Sequence, residues 1–116
     1  MDKATKELLK LVGIPQSIRG HAYIGQAVEM VHKDPCLIHD VIKKVYTPVA
    51  ARFDVSWKRV ERAIRTAKES CFDNLSEDLV REIFGNTINP NNGIPTNAHF
   101  IAALADLLEA TDEQAD

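Results

Sequence analysis

Apolar residues recur along much of the chain at spacings of three and four, which is the period of an α-helix. The clearest stripe lies in the segment 20–33 and consists of Tyr23, Ile24, Ala27, Val28 and Val31. No segment alternates between apolar and polar residues for long enough to indicate a half-buried strand. The pattern therefore predicts an all-α protein.

Glycine, proline and capping residues divide this pattern into separate helices. Gly13 and Pro15 end the first helix, Ser76 and Thr96 are N-caps, and Gly85 ends the helix that Ser76 begins. We expect a compact bundle of about six helices, with a frayed acidic end at 111–116. The segments with a helical pattern are 5–12, 20–33, 37–46, 47–53, 56–72, 77–84 and 97–110.

The length and the composition indicate one domain that covers residues 1–116, because 116 residues with 45% hydrophobic content can bury an ordinary core. No apolar run reaches the roughly 18 residues that a membrane span requires. The two cysteines, Cys36 and Cys71, lie far apart, and no secretory leader precedes them. We therefore expect reduced thiols and a cytoplasmic location.

The charges are unevenly distributed along the chain. Its net charge is −3, yet the segment 43–68 carries eight basic and two acidic residues, a local charge of +6 that leaves −9 for the remainder. A basic segment on an acidic protein is typical of a surface that approaches nucleic-acid phosphate, although a solvated helix face has the same composition.

The basic segment contains the spacing of a helix-turn-helix. Thr47 and Pro48 are interpreted as the N-cap and the first residue of a short helix, and Asp54 stands at the turn, where glycine is common. Ser56 then caps a second helix over 56–72. The apolar positions of that helix, at helical spacing, are Val60, Ile64, Ala67 and Cys71.

The opposite face of this second helix is the candidate DNA-reading surface, formed by Lys58, Arg59, Glu61, Arg62, Arg65 and Thr66. An arginine side chain can donate two parallel hydrogen bonds to guanine or to phosphate. Glu61 has two interpretations, an ion pair with Arg65 one turn later or an acceptor for a cytosine amino group. Charge and spacing alone leave open whether this helix reads DNA, because many helical hairpins share the spacing.

Specific stretches of the sequence resemble the C-terminal DNA-binding effector domain of the stage-zero sporulation response regulator. The first stretch is the seven residues 59–65, Arg-Val-Glu-Arg-Ala-Ile-Arg, and the second is Pro95-Thr96-Asn97 followed by Phe100-Ile101-Ala102. Further matches in the family's order extend from about residue 5 to residue 110. The resemblance implies a winged-helix-like domain without a strand wing, which binds promoter boxes and regulates transcription in sporulation.

The resemblance also implies partners and site residues. It places the helix 56–72 in the major groove, and it implies pairs of copies on tandem DNA sites. Phe84 and Ile88 match positions that resemble a contact with RNA polymerase sigma factor, although a buried anchor at a helix end explains Phe84 and Ile88 equally well. No receiver domain is present, so we expect either an excised effector domain or a stand-alone relative.

The sequence departs from the family's pattern at three positions. Thr66 replaces a usual histidine, Lys58 replaces a small polar residue, and Ile94 replaces a basic residue. We therefore expect a shifted base preference with retained attraction to phosphate.

Other classes of function have weaker support. His32, Cys36 and His39 lack a fourth ligand at a spacing that suits zinc, and no cofactor motif or catalytic constellation is visible, so we expect neither an enzyme nor a cofactor. The alternative is a helical protein-interaction or dimerisation module. In that hypothesis the basic helix binds an acidic partner, and the last helix pairs with a second copy through Phe100, Ile101, Leu104, Leu107 and Leu108.

Overall fold

The computed structural model describes residues 1–85 and 94–115, with side chains in these ranges as far as Glu109. These residues form six α-helices and no strand, which confirms the prediction of an all-α bundle. The helices are α1 (Lys3–Leu11), α2 (Arg19–Lys33), α3 (Thr47–Phe53), α4 (Trp57–Asn74), α5 (Glu77–Phe84) and α6 (Asn97–Ala115).

Helix α2 is the centre of the bundle and packs mainly against α4 and α6. Its predicted apolar stripe is buried, and Ile24, Ala27 and Val28 have no exposed surface. Helix α1 lies against α2 and α6, and its last residue, Leu11, is followed two positions later by Gly13, whose φ of 81° suits a residue without a Cβ. The predicted stop at Gly13 is therefore confirmed.

The last helix is longer than expected and is used inside the domain. It continues past residue 110 to Ala115. Phe100, Ile101, Leu104 and Leu108 are at most 3% exposed, and Leu107 is partly buried against the same core. The hypothesis that these side chains pair with a second copy is wrong for the four buried ones, because they form the core with α1, α2 and α4.

The segment 37–46 is not the single α-helix that its spacing predicts. A 3₁₀ segment covers Pro35–Asp40 and a π-helical segment covers Ile42–Tyr46. The π-helical segment is explained by Pro48, which has no N–H to donate to the carbonyl four residues earlier. Hydrogen bonding shifts by one residue, and both the backbone N–H and the hydroxyl of Thr47 donate to the Ile42 carbonyl. The predicted N-cap role of Thr47 is therefore wrong.

The turn between α3 and α4 has a left-handed residue at the position where glycine is common. Asp54 adopts φ 55° and ψ 49°, and the amide of Val55 donates to the carbonyl of Ala50 at 3.0 Å. A hydrogen bond between these two positions is typical of a helix C-terminus that is followed by a left-handed residue. The Ser56 hydroxyl then accepts a hydrogen bond from the Arg59 amide at 3.2 Å, which confirms Ser56 as the N-cap of α4.

Within the described ranges, no helix combines the length and apolar character that crossing a bilayer requires. The same residues contain no group of three or more histidine, cysteine or acidic side chains placed to hold a metal ion.

Candidate nucleic-acid interface

Helix α4 has two chemically distinct faces. Val60, Ile64, Ala67 and Cys71 are fully buried, and burial raises the pKa of the Cys71 thiol to about 12, so this thiol stays protonated in the core. On the other side of the helix, exposed side chains belong to Lys58, Arg59, Arg62, Arg65 and Thr66. The helix is thus fixed by one face and presents basic groups on the other.

Glu61 lies at the edge of the basic face and is paired within the helix. Its Oε1 accepts a hydrogen bond from Arg65 Nη2 at 2.6 Å, one turn further along. Of the two interpretations of Glu61, the structure shows the ion pair with Arg65. Its carboxylate is neutralised by Arg65, so that Lys58, Arg59 and Arg62 set the local potential.

Two neighbouring contacts orient side chains on the basic face. The Lys58 ammonium lies 5.9 Å from the ring centroid of half-buried Trp57, which is within cation–π range. The Thr66 hydroxyl donates to the Arg62 carbonyl at 3.1 Å. Because that hydroxyl hydrogen is occupied, Thr66 presents its methyl group and oxygen lone pairs outward.

A groove of about 530 Å³, here called the Arg19 groove, separates the basic face of α4 from the start of α2. Arg19, Lys58, Arg59 and Arg62 contribute its charges, and none of its lining residues is acidic. The Arg19 side chain is exposed and forms no ion pair with any described residue. The spacing pattern did not predict Arg19, since α2 and α4 meet only in the folded chain.

Gly20 explains why Arg19 lies so close to the basic face. A Cβ on Gly20 would lie 2.5 Å from the carbonyl oxygen of Ala63 and 2.9 Å from the Cβ of Ala67. The first turn of α2 therefore touches the backbone of α4, an approach that only glycine permits. A glycine that follows an arginine at a helix start gives no signal of this contact in the sequence.

The other flank of α4 borders a second groove of about 390 Å³, here called the Lys68 groove, at the start of α6. Thr96 caps α6 by accepting a hydrogen bond from the His99 amide at 3.2 Å. Asn97 Nδ2 donates to the Glu61 carbonyl at 3.2 Å and so ties α6 to the middle of α4. The Thr96 cap was predicted from the sequence, whereas the motif gave no sign of the contact between Asn97 and α4.

Phe84, one of the two residues predicted near RNA polymerase, is separate from this surface. Phe84 is only 3% exposed and packs against Phe72 and Phe100, with ring centroids 5.2 and 5.7 Å away. Its burial favours the alternative of a structural anchor at the end of α5. Ile88 lies outside the described residues.

Residues 5–108 match the family model of the sporulation initiation factor Spo0A C terminal. The chain belongs to this family. The match covers all of α1 except its first two residues, and it includes the complete α2, α3, α4 and α5. The chain is thus a DNA-binding effector domain of the type found in this sporulation regulator, which confirms the family that its motifs indicate. The family is one of transcription factors and is not a known family of enzymes.

Proposed function

We propose that the chain binds specific double-stranded DNA boxes and regulates transcription, with α4 in the major groove. The observation that supports this most directly is the basic face of α4 beside a groove without acidic lining residues. An α-helix with its side chains has a diameter close to the width of the major groove, about 12 Å in B-DNA. A helix held by a buried apolar face can enter that groove as a rigid element.

Within this proposal the exposed residues divide between base reading and backbone contact. Arg62 lies at the centre of the face and makes no ion pair with any described residue, so its guanidinium is available for a guanine edge. Arg59, Lys58 and Arg19 border the groove and suit phosphate. Glu61 exchanges Arg65 for a cytosine amino group when DNA is bound.

Selection of bound sequences from a random duplex pool tests the function and the box preference together. We expect enrichment of one short box, with base positions that change when Arg62→Ala is used in the selection. An unenriched pool, combined with equally tight binding to polyglutamate, would support the alternative of a protein-interaction module that docks on acidic partners.

Arg19→Ala is expected to weaken binding to all duplexes alike, because the side chain is proposed to neutralise a phosphate. The slope of log K against log salt concentration should become shallower by about 0.9, the value for one lost phosphate contact. Titrations at several salt concentrations measure this slope. Lys33→Ala, at the opposite end of α2, is the matched control and should leave the slope unchanged. A loss confined to one base pair of the box would instead assign base reading to Arg19.

Three further parts of the proposal rest on the sequence and the family and not on the geometry of the site. They are a cytoplasmic location, where promoter DNA is found, a contact with RNA polymerase sigma factor, and two copies bound on tandem boxes. The proposed unit is one domain, residues 1–116. The buried face of α6 does not supply the contact between copies, so adjacent DNA boxes would have to bring the copies together.

A further inference from the structure

The Lys68 groove lies on the flank of α4 opposite the Arg19 groove. From α4 it is lined by Glu61, Arg65 and Lys68, and from the start of α6 by Thr96, Asn97 and Ala98. Consecutive residues of an α-helix are about 100° apart, so Lys68 and Thr66, which lines the Arg19 groove, lie on opposite sides of the helix. The two grooves therefore border the basic face on its two sides.

Lys68 is the unusual residue of this groove. It is only 8% exposed, and lysine is almost never so deeply buried unless it is paired. Within the described part of the chain, its ammonium forms no hydrogen bond and no ion pair. Burial and the nearby Arg65 lower the pKa of Lys68, while Glu69 acts in the opposite direction. The stem is packed away, whereas the ammonium is not one of the buried polar atoms and therefore reaches the open side of the groove.

The start of α6 adds hydrogen-bond donors to the same groove. The first amides of a helix have no partner within the helix, and the positive end of the helix dipole lies there. Thr96 satisfies the His99 amide, while the amides of Asn97 and Ala98, two residues that line the groove, have no partner within the helix. A 19-residue helix begins at this point. The groove thus combines a cation with two backbone donors.

The side-chain acceptors that line the groove include the Glu61 carboxylate, the Tyr46 hydroxyl and Asn97 Oδ1. The Glu61 carboxylate is held by Arg65 at 2.6 Å. Asn97 Oδ1 is buried and makes no hydrogen bond with any described residue. A lysine ammonium has three N–H donors, so even if Lys68 turns one of them to Asn97 Oδ1, two remain. An acceptor that carries negative charge fits the N–H groups that remain.

We propose that the Lys68 groove binds a phosphate group of the DNA backbone. A helix in the major groove has a sugar-phosphate strand on each side, and the Arg19 and Lys68 grooves occupy those two sides of α4. Arg19 contacts one strand and Lys68, with the start of α6, contacts the other. This inference rests on the proposed function, since it needs α4 in the major groove.

The test compares Lys68→Met with the unmodified 116-residue chain on the selected duplex. Methionine keeps an unbranched apolar stem and removes the charge, so we expect the fold to be retained, and a thermal melt checks this. The salt slope should become shallower by about 0.9, while the preference among sequences is unchanged. Lys68→Arg should keep the slope, and Lys33→Met is the control for loss of a remote charge.

Two further arms distinguish the source of the phosphate. Duplexes with a single uncharged methylphosphonate linkage are scanned along both strands, and one linkage should abolish the difference between Lys68→Met and the unmodified chain. Inorganic phosphate is titrated while the Ala98 amide signal is followed by NMR. A shifted signal with an unchanged DNA salt slope would assign the groove to free phosphate and overturn the backbone contact.

The outcomes also separate this inference from the proposed function. If Lys68→Met binds like the unmodified chain at every salt concentration while Arg62→Ala loses specific binding, the backbone contact is refuted and α4 still reads DNA. If neither variant changes binding to any duplex, the proposed function itself fails.

Discussion

Phe100→Ala is expected to lower the free energy of unfolding by about 3 to 5 kcal/mol, the usual cost of removing a buried aromatic ring. The Phe100 side chain has no exposed surface. Its ring centroid lies 5.8 Å from that of Phe72 on α4 and 5.7 Å from that of Phe84 at the end of α5. One ring thus joins α4, α5 and α6, and these three helices cannot all move inward to fill the space.

Urea denaturation followed by circular dichroism measures this change. Domains are commonly stable by only about 5 to 15 kcal/mol, so the variant should unfold at a much lower urea concentration. Phe100→Leu should cost less, because it leaves a smaller cavity. Leu11→Ala, at a side chain that is 68% exposed, is the surface control and should change stability by less than about 0.5 kcal/mol. Equal losses for Phe100→Ala and Leu11→Ala would show that the aromatic cluster does not stabilise the domain.

Features that depend on neighbouring residues were predictable from the sequence. The N-caps at Ser56, Ser76 and Thr96 all accept the expected amide hydrogen bond, because capping involves residues only three positions apart. The left-handed conformation of Asp54 has an equally local cause. The buried stripe of α4 followed from helical spacing, since one face of α4 packs against the bundle.

The spacing of apolar residues did not predict the features that arise when a residue outside a segment removes one of its backbone hydrogen bonds. The apolar pattern of 37–46 fits an α-helix, yet Pro48 removes a donor, and the preceding residues form a π-helical segment. Thr47 satisfies the same carbonyl with its hydroxyl instead of capping α3. The apolar pattern depends only on the side chains within 37–46, whereas the shift in backbone hydrogen bonding is caused by Pro48, which lies after that segment.

The candidate site was predictable only along a single helix. Lys58, Arg59, Arg62 and Arg65 share a face of α4 because of their spacing, and the structure brings them together. Arg19 lies about 40 positions away in the sequence and reaches this face only because Gly20 lets α2 touch α4. Helical spacing places Lys68 beside the basic face, but its burial depends on α6 and on the segment before α3. Contacts between helices therefore determine which residues border the basic face on its two sides.

Arg62→Ala is expected to weaken binding to the selected box by about 1 to 3 kcal/mol, which is the contribution of a side chain that reads a base. Arg62 is exposed at the centre of the basic face, and its guanidinium makes no ion pair with any described residue. Arg65 is held by Glu61 at 2.6 Å, which makes Arg62 the better candidate for a guanine edge.

Competition titrations with single-base variants of the box measure the effect. The loss should be concentrated at one base pair, because phosphate contacts are the same for every sequence. Arg62→Lys keeps the charge but removes the planar fork, so it should restore non-specific binding without restoring base preference. Arg81→Ala, an exposed arginine on α5, is the control for a general loss of charge. If Arg62→Ala instead weakens all duplexes equally and lowers the salt slope by about 1, Arg62 contacts phosphate, and base reading falls to Arg59 and Arg65.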